Sequence, residues 1–227
     1  MTDQTPLDNP AYAALLALHA HLAERCGNAL RYPADVSPFA GIPRQPGPAD
    51  WAELAELAGP GCIAVTAGVA ADPPAGWRLL RVIDAVQLTG GHVDGAPDPE
   101  AVPLGPGDVL EMLDLVARTQ PGPFQPRTIE FGGYLGIRRG GDLVAMAGER
   151  LRPPGWTEIS AVCTDPGFRG QGLGTRLTLA VAAAIRSRGE APFLHATATN
   201  VTAIRLYESL GFEIRRAAPF VIMRAPG

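Results

Sequence analysis

Residues 165–175 read Asp-Pro-Gly-Phe-Arg-Gly-Gln-Gly-Leu-Gly-Thr, and this stretch decides how the rest of the chain is interpreted. It follows a strand-like run, 157–164, and precedes a helical pattern that extends to about Arg188. Alternating glycines let the backbone adopt positive φ and approach a ligand closely. Because a helix N-terminus presents unpaired N–H groups and a positive dipole end, the loop predicts a cradle for a phosphate or pyrophosphate.

Two common phosphate-binding loops are excluded by specific residues. A dinucleotide-binding loop needs G-x-G-x-x-G and an acidic residue about 20 positions later, whereas the pattern here is R-x-x-G-x-G. A P-loop needs a lysine before its Ser or Thr, and the chain contains no lysine. The absence of lysine also excludes a Schiff-base mechanism on a side chain.

Composition narrows the class of protein further. The chain has 227 residues, of which 46% are hydrophobic, as expected for a packed globular protein. A net charge of −4 provides no electrostatic footprint for nucleic acid. The three cysteines and four histidines show neither metal-ligand spacing nor a disulfide framework. Without a signal-peptide pattern or a long apolar run, the expected location is cytoplasmic, with no membrane partner.

Periodicity and turn signals predict alternating helices and strands. Helices are predicted at 10–25, at 51–58 with Asp50 as the cap, at 108–118, from the glycine loop to about 188, and at 201–210. Strands are predicted at 62–66, 77–88, 128–138, 143–151, 157–164, 193–197, 212–216 and 220–224. A hairpin turn is expected at 140–142, residues 31–50 are expected to be irregular, and 89–107 is the candidate linker.

A short internal similarity divides the chain into halves. Residues 65–77 are similar to 144–156, either because the first half is a degenerate copy of the second or by chance in a chain rich in Gly, Pro and Ala. The first half has 90–95 in place of the cradle, without an arginine or alternating glycines. Only the second half is therefore expected to bind the ligand.

The order of elements in residues 100–227 resembles the GNAT superfamily of acyl-CoA-dependent N-acetyltransferases. The resemblance is carried by the R-x-x-G-x-G loop, by Asn200 and by the segment 203–212, Ala-Ile-Arg-Leu-Tyr-Glu-Ser-Leu-Gly-Phe. It implies an α/β fold with a mixed sheet, in which strands 157–164 and 193–197 are parallel but separate around the pantetheine arm. The domains expected are a degenerate GNAT-like region, 1–96, and a catalytic domain, 97–227.

The resemblance also implies that acetyl-CoA is the cosubstrate and indicates which residues hold it. Backbone groups beside the separating strands would pair with the pantetheine amides, and the cradle would hold the pyrophosphate. Asn200 is interpreted as a helix cap, a cofactor contact or both. The predicted cofactor-binding residues are Val162, Cys163, Thr164, Arg169, Gly170, Gln171, Gly172, Leu173, Gly174, Thr175, Asn200, Ala203 and Tyr207.

Two residues are predicted to be catalytic. By the resemblance, Tyr207 is placed to donate a proton or hydrogen bond to the departing CoA thiolate; the alternative is a tyrosine that packs in its helix. Glu158 stands where family members often place a glutamate that acts as general base through water; the alternative is a solvated strand residue. Glu149 and Glu130 are reserve candidates for the base.

The acceptor side is expected to be formed by the loop 119–127 and the following strand. Its predicted lining residues are Phe124, Glu130 and Tyr134. The acceptor is expected to be an amine of a small molecule or peptide, attacked directly in a ternary complex. The sequence leaves open a non-catalytic role as an acyl-CoA sensor or scaffold. It also leaves open a longer acyl donor, and whether the protein is a monomer or a homodimer.

Overall fold

Helices and strands lie close to their predicted positions in a computed structural model that describes residues 2–69 and 71–227. The helices are α1 (Pro10–Leu16), α2 (Pro48–Ala58), α3 (Val109–Thr119), α4 (Leu173–Ser187) and α5 (Val201–Ser209). The strands are β1 (Glu24–Cys26), β2 (Ala29–Arg31), β3 (Ala40–Gly41), β4 (Ile63–Ala67), β5 (Arg78–Ile83), β6 (Ala85–Thr89), β7 (Val102–Leu104), β8 (Tyr134–Arg139), β9 (Asp142–Glu149), β10 (Trp156–Thr164), β11 (Ala191–Thr197), β12 (Glu213–Ala217) and β13 (Phe220–Arg224).

A mixed sheet forms the centre of the fold, as predicted. Among the described residues it has seven strands in the order β12-β6-β11-β10-β9-β8-β7. β10 and β11 are parallel, whereas the other neighbours are antiparallel. α4 covers one face because its apolar residues recur every four positions, and Leu177, Val181 and Ile185 are fully or almost fully buried against the sheet.

The two halves of the chain exchange strands. β6, from the first half, lies between β11 and β12 in the central sheet. β13, from the second half, lies between β4 and β5 in a separate antiparallel sheet. A boundary between residues 96 and 97 would therefore divide the strands of both sheets between two domains. The division into domains stays a prediction.

Two predicted elements near the N-terminus differ in the structure. The helix predicted over 10–25 ends at Leu16, and a 3-10 turn (Ala20–Leu22) and β1 follow. Its leucine spacing does not define one buried face, since Leu18 is 45% exposed. Helix α2 starts at Pro48, where the Asp50 carboxylate accepts a hydrogen bond from Gly47 N at 2.7 Å, so Asp50 lies inside the helix.

Two predicted strands are shorter or divided. The strand predicted over 77–88 breaks at Asp84, and its two parts join different sheets as β5 and β6. The strand predicted over 128–138 begins only at Tyr134, since Thr128–Phe131 forms a 3-10 turn. Thr128 favours that turn because its hydroxyl accepts a hydrogen bond from Gln125 N at 2.7 Å.

The predicted linker 89–107 is packed against α4, so that prediction was wrong. Ala96 N donates to Leu179 O at 3.0 Å. Arg176 donates to both carboxylate oxygens of Asp98, at 2.6 and 2.8 Å. The turn-rich composition reflects a close approach of the backbone to the helix: Gly95 has φ +77° and lies against the α4 backbone.

Gly95→Ala is expected to destabilise the protein by about 2 kcal/mol or more. A Cβ at Gly95 would lie 2.5 Å from Leu179 O and closer still to Ala183 N, and a positive φ alone costs about 1–3 kcal/mol for a non-glycine residue. The control Gly91→Ala places its Cβ in open space, so a change within about 0.5 kcal/mol is expected. Urea unfolding measures both, and equal free energies would contradict the docked position of this segment.

Candidate active site

The central sheet opens where β10 and β11 separate. Their parallel pairing ends at Glu158 and Phe193, although β10 continues to Thr164 and β11 to Thr197. This geometry confirms the predicted separation of the two strands. The space between them is a cavity of about 460 Å³, within the range of small-molecule sites. This interstrand cavity is lined by Ile83, 119–123, Arg150, 159–164, Arg169, 195–197, Asn200, Ala203, Tyr207 and Phe220.

A β-bulge in β10 exposes backbone groups to this cavity. Ser160 pairs with Gly148 and Cys163 pairs with Met146, so two residues of β10 oppose one residue of β9. Ala161 has φ +53°, which is rare for a residue other than glycine. The bulge interrupts the ladder and turns backbone polar groups away from β9.

The glycine loop has the open backbone that a phosphate cradle requires. Gly170 has φ +78° and Gly172 has φ +72°, and a Cβ at either would meet no heavy atom within 4 Å. Gly172 is the N-cap of α4 and provides no capping side chain, so the first N–H groups of the helix remain available. Arg169 lies at the cavity end of this loop. The cofactor assignments of residues 169–175 stay predictions that this geometry accommodates.

Helix α5 brings the two predicted polar residues to the cavity. Asn200 caps the helix, since its Oδ1 accepts from Ala203 N at 3.1 Å, and it also lines the cavity. Tyr207 lines the cavity and is 8% exposed. Burial raises the pKa of Tyr207 to about 12. Its phenol therefore stays protonated at neutral pH and can act as a hydrogen-bond donor.

A buried ion pair lies where the strands begin to separate. Arg150 donates to both carboxylate oxygens of Glu158, from Nε at 2.8 Å and from Nη2 at 2.6 Å. His195 Nδ1 is 2.6 Å from Glu158 Oε1. The guanidinium also lies over the rings of Phe39 and Phe220, at 5.1 and 5.9 Å from their centroids.

This environment contradicts the prediction that Glu158 is a general base. Its side chain is fully buried, it does not line the cavity, and Arg150 and His195 occupy both oxygens. Burial acts to raise the pKa of Glu158, but the charge and hydrogen bonds of Arg150, together with the hydrogen bond from His195, outweigh burial and lower it to about 2. Such a carboxylate is a weak proton acceptor. The two reserve candidates for the general base are also held in ion pairs. Glu149 pairs with Arg188 at 2.9 Å, and Glu130 pairs with Arg127 at 2.6 Å.

The hydrogen-bond partners of His195 extend the network to β6. Gln87, which is fully buried, donates from Nε2 to Leu7 O at 2.9 Å, and the same nitrogen is 3.2 Å from His195 Nε2. Arg215 donates to Gln87 Oε1 at 2.9 Å, which determines how the amide is oriented. His195 therefore accepts at Nε2 and donates from Nδ1 to Glu158.

The predicted acceptor residues lie elsewhere. Phe124 and Tyr134 are buried and pack edge to face, with ring centroids 5.6 Å apart, in a core beneath α3. Glu130 forms its ion pair with Arg127 outside the cavity. The structure corrects these three assignments, because the two aromatic side chains fill the core and Glu130 lies outside the cavity. The loop itself contributes 119–123 to the cavity.

The sequence interpretation missed Arg150, Ile83 and Phe220. Ile83 and Phe220 reach the cavity only through the exchange of strands between the halves. Arg150 had a detectable signal, since it and Glu158 carry opposite charges on either side of the turn at 153–155. Their backbones pair there, with Arg150 N donating to Glu158 O at 2.9 Å.

Neither a cluster of metal-ligating side chains nor a membrane-spanning helix is found in the described part of the chain. Within residues 2–69 and 71–227, no group of three or more His, Cys, Asp or Glu side chains is arranged to hold a metal ion. In the same part of the chain, none of the helices has the length and apolar character needed to cross a bilayer.

Comparison with known proteins links this chain to acetyltransferases. A family model described as FR47-like protein matches residues 134–221. The chain is 40% identical to a protein of Novosphingobium aromaticivorans assigned to the GNAT family of acetyltransferases, with a TM-score of 0.89 and coverage of 98% of this chain and 99% of that chain. A GCN5-related N-acetyltransferase of Kribbella flavida shares the fold, with 22% identity, a TM-score of 0.59 and coverage of 96% of both chains.

Curated relatives match over shorter segments. The chain is 39% identical to the mycothiol acetyltransferase of Thermobispora bispora over 108 residues, which are 44% of this chain and 34% of that protein. It is 37% identical to the N-alpha-acetyltransferase RimI of Mycobacterium tuberculosis over 83 residues, 35% of this chain and 51% of that protein. The matches thus span about a third and about half of the lengths of these two relatives.

The buried Glu158 is expected to make stability depend on acid pH. Because its pKa is lowered from 4.5 to about 2, its contribution is fully present above about pH 4.5 and is lost as pH falls through about 2. The shift corresponds to roughly 3 kcal/mol. The difference in unfolding free energy between the wild type and Glu158→Gln should shrink by that amount between pH 6 and pH 2, measured by urea unfolding. A difference that does not vary with pH would contradict the lowered pKa.

Proposed function

The chain belongs to the GNAT family of acetyltransferases, and on that premise we propose that it transfers the acetyl group of acetyl-CoA directly to an amine. The observation that carries this proposal is the interstrand cavity, whose lining includes both Arg169, at the start of the glycine loop, and Tyr207. Residues 97–227 supply the cradle and Tyr207. Residues 1–96 help to close the acceptor end through Ile83.

The cofactor is proposed to lie along the opening between β10 and β11. Its pyrophosphate accepts hydrogen bonds from the backbone of 169–175, where the α4 N-terminus favours an anion. The pantetheine arm passes Val162 and Thr164, whose backbone groups follow the bulge and pair with its amides like an added strand. Asn200 and Ala203 border the arm on the α5 side.

Two features of the cavity favour the transfer step. The amine nitrogen bonds to the carbonyl carbon, and negative charge develops on the carbonyl oxygen, where the backbone N–H groups freed by the bulge can stabilise it. The C–S bond then breaks, and the thiolate receives a proton from Tyr207. The nitrogen of the tetrahedral intermediate loses its extra proton to water, and the Tyr207 phenolate takes one proton from water. The products are the N-acetylated amine and the CoA thiol, with no net consumption of protons.

No carboxylate is assigned as the general base, since Glu158 is held by Arg150. We propose instead that the acceptor reacts as the neutral amine. A nearby cation disfavours the ammonium form of an amine, and the Arg150 guanidinium lines the cavity.

Thiol release tests the proposed transfer. Purified protein with acetyl-CoA is expected to release CoA thiol in the presence of an amine acceptor, detected with a thiol reagent across a broad amine panel. A protein that binds acetyl-CoA tightly but releases no thiol with any amine would be a binding module. Comparison of acyl-CoA chain lengths in the same assay identifies the preferred donor.

Tyr207→Phe is expected to lower kcat by about 100-fold, within the range of a lost acid catalyst. The dissociation constant for acetyl-CoA should change less than about threefold, because the ring remains in place. Tyr134→Phe is the matched control, since it removes a hydroxyl from a tyrosine outside the cavity, and near wild-type kcat is expected. Equal loss of binding and turnover in Tyr207→Phe would make Tyr207 a packing residue.

A further inference from the structure

The charged groups that line the interstrand cavity are of one sign. Its lining includes Arg150 and Arg169 but no Asp or Glu side chain. Arg169 belongs to the cradle and lies near Thr164, with Nε 3.4 Å from its carbonyl oxygen. Arg150 binds Glu158, six residues earlier in β10, which corresponds to roughly 20 Å of extended strand. The two cations therefore serve opposite ends of the cavity, and Arg150 is available to the acceptor.

The ion pair with Glu158 leaves part of Arg150 unsatisfied. Nε and Nη2 donate to the carboxylate, whereas Nη1 forms no hydrogen bond with any residue of 2–69 or 71–227. A guanidinium carries five N–H donors in a planar fork. Nη1 and the remaining N–H of Nη2 thus form an open edge, and Arg150 lines the cavity.

The guanidinium is also held in a defined orientation. The rings of Phe39 and Phe220 pack against the guanidinium, and Glu158 binds its Nε/Nη2 edge. Glu158 itself is fully buried and lies outside the cavity lining, so a ligand meets the cation and not its counter-ion. A donor edge preorganised in this way suits an anion that can accept two parallel hydrogen bonds.

We propose that the acceptor is a small amino acid-like amine, whose carboxylate binds the open edge of Arg150 while its amine faces the thioester. This inference rests on the proposed acetyl transfer and names the class of its acceptor. The cavity, of about 460 Å³ including the space for the pantetheine arm, has room for a small acceptor. A cationic amine without a carboxylate would meet no counter-charge there, so the site would favour amino acid-like amines over simple amines.

Matched acceptor pairs test this inference in the wild-type protein. Glycine, alanine, methionine and phenylalanine are each compared with their carboxamides for kcat/KM in the thiol-release assay. A charge-assisted hydrogen bond predicts a preference of at least about tenfold for the free acid. Carboxamides that react as well as the acids would overturn the proposal.

Variants assign the preference to Arg150. The double substitution Arg150→Gln with Glu158→Gln removes the guanidinium without leaving a buried unpaired carboxylate, and it should reduce the acid preference to below about threefold. Arg169→Gln is the control at the other end of the cavity: it should raise the KM for acetyl-CoA and keep the acid preference. Circular dichroism checks that each variant is folded. If the double variant does not fold, Arg150→Lys replaces it in the assay, because lysine keeps the charge but loses the planar fork. An undiminished preference in a folded Arg150 variant would refute the assignment.

A binding measurement separates failure of this inference from failure of the proposed function. Calorimetry on the CoA-loaded protein compares N-acetyl amino acids with their carboxamides, and this needs no turnover. The acids are expected to bind at least about tenfold more tightly. Binding of the acids without any thiol release would refute the transfer but retain the carboxylate site, and equal binding of both series would refute the site.

Discussion

The separation of β10 from β11 after three paired residues is the constraint on which this molecule depends. It opens the middle of a seven-stranded sheet in the described part of the chain, where backbone groups would otherwise pair. Buried backbone N–H and C=O groups need partners, so such an opening is favourable only if a ligand or solvent occupies it. The bulge at Ala161 turns still more of these groups toward the opening. The strand geometry thus prepares a site for an extended ligand with amides of its own.

The ion pair of Arg150 and Glu158 lies at the start of this opening and connects distant parts of the chain. It contacts Phe39 and Phe220, and through His195 and Gln87 it reaches Leu7. A buried charge pair is costly to desolvate and weak evidence for stability in itself. Here the pair presents one arginine edge to the cavity and hides the balancing carboxylate, as the role proposed for Arg150 requires.

Much of the fold and part of the site could be predicted from the sequence. The glycine loop, the order of strands and helices around it and the Asn200 cap depend on local rules that act within a few residues, whereas the position of Tyr207 was predicted from the family resemblance. The predictions failed where distant residues decided the outcome. Segment 89–107 has the composition of a linker yet docks on α4, and Glu158 resembles a solvated strand glutamate until Arg150 is placed beside it.

The sequence by itself determined the order of helices and strands and the glycine loop at residues 169–175, because glycine conformations, caps and hydrophobic periodicity are local properties. The mixed α/β sheet was predicted from the family resemblance that these motifs carry. Only the tertiary structure decided which residues line the interstrand cavity. Ile83 and Phe220 arrive there by strand exchange, and Phe124 and Tyr134 turn into the core. The protonation state of Glu158 was likewise decided by the fold, because the electrostatic field at a buried group is the sum of charges that come together only when the chain is packed.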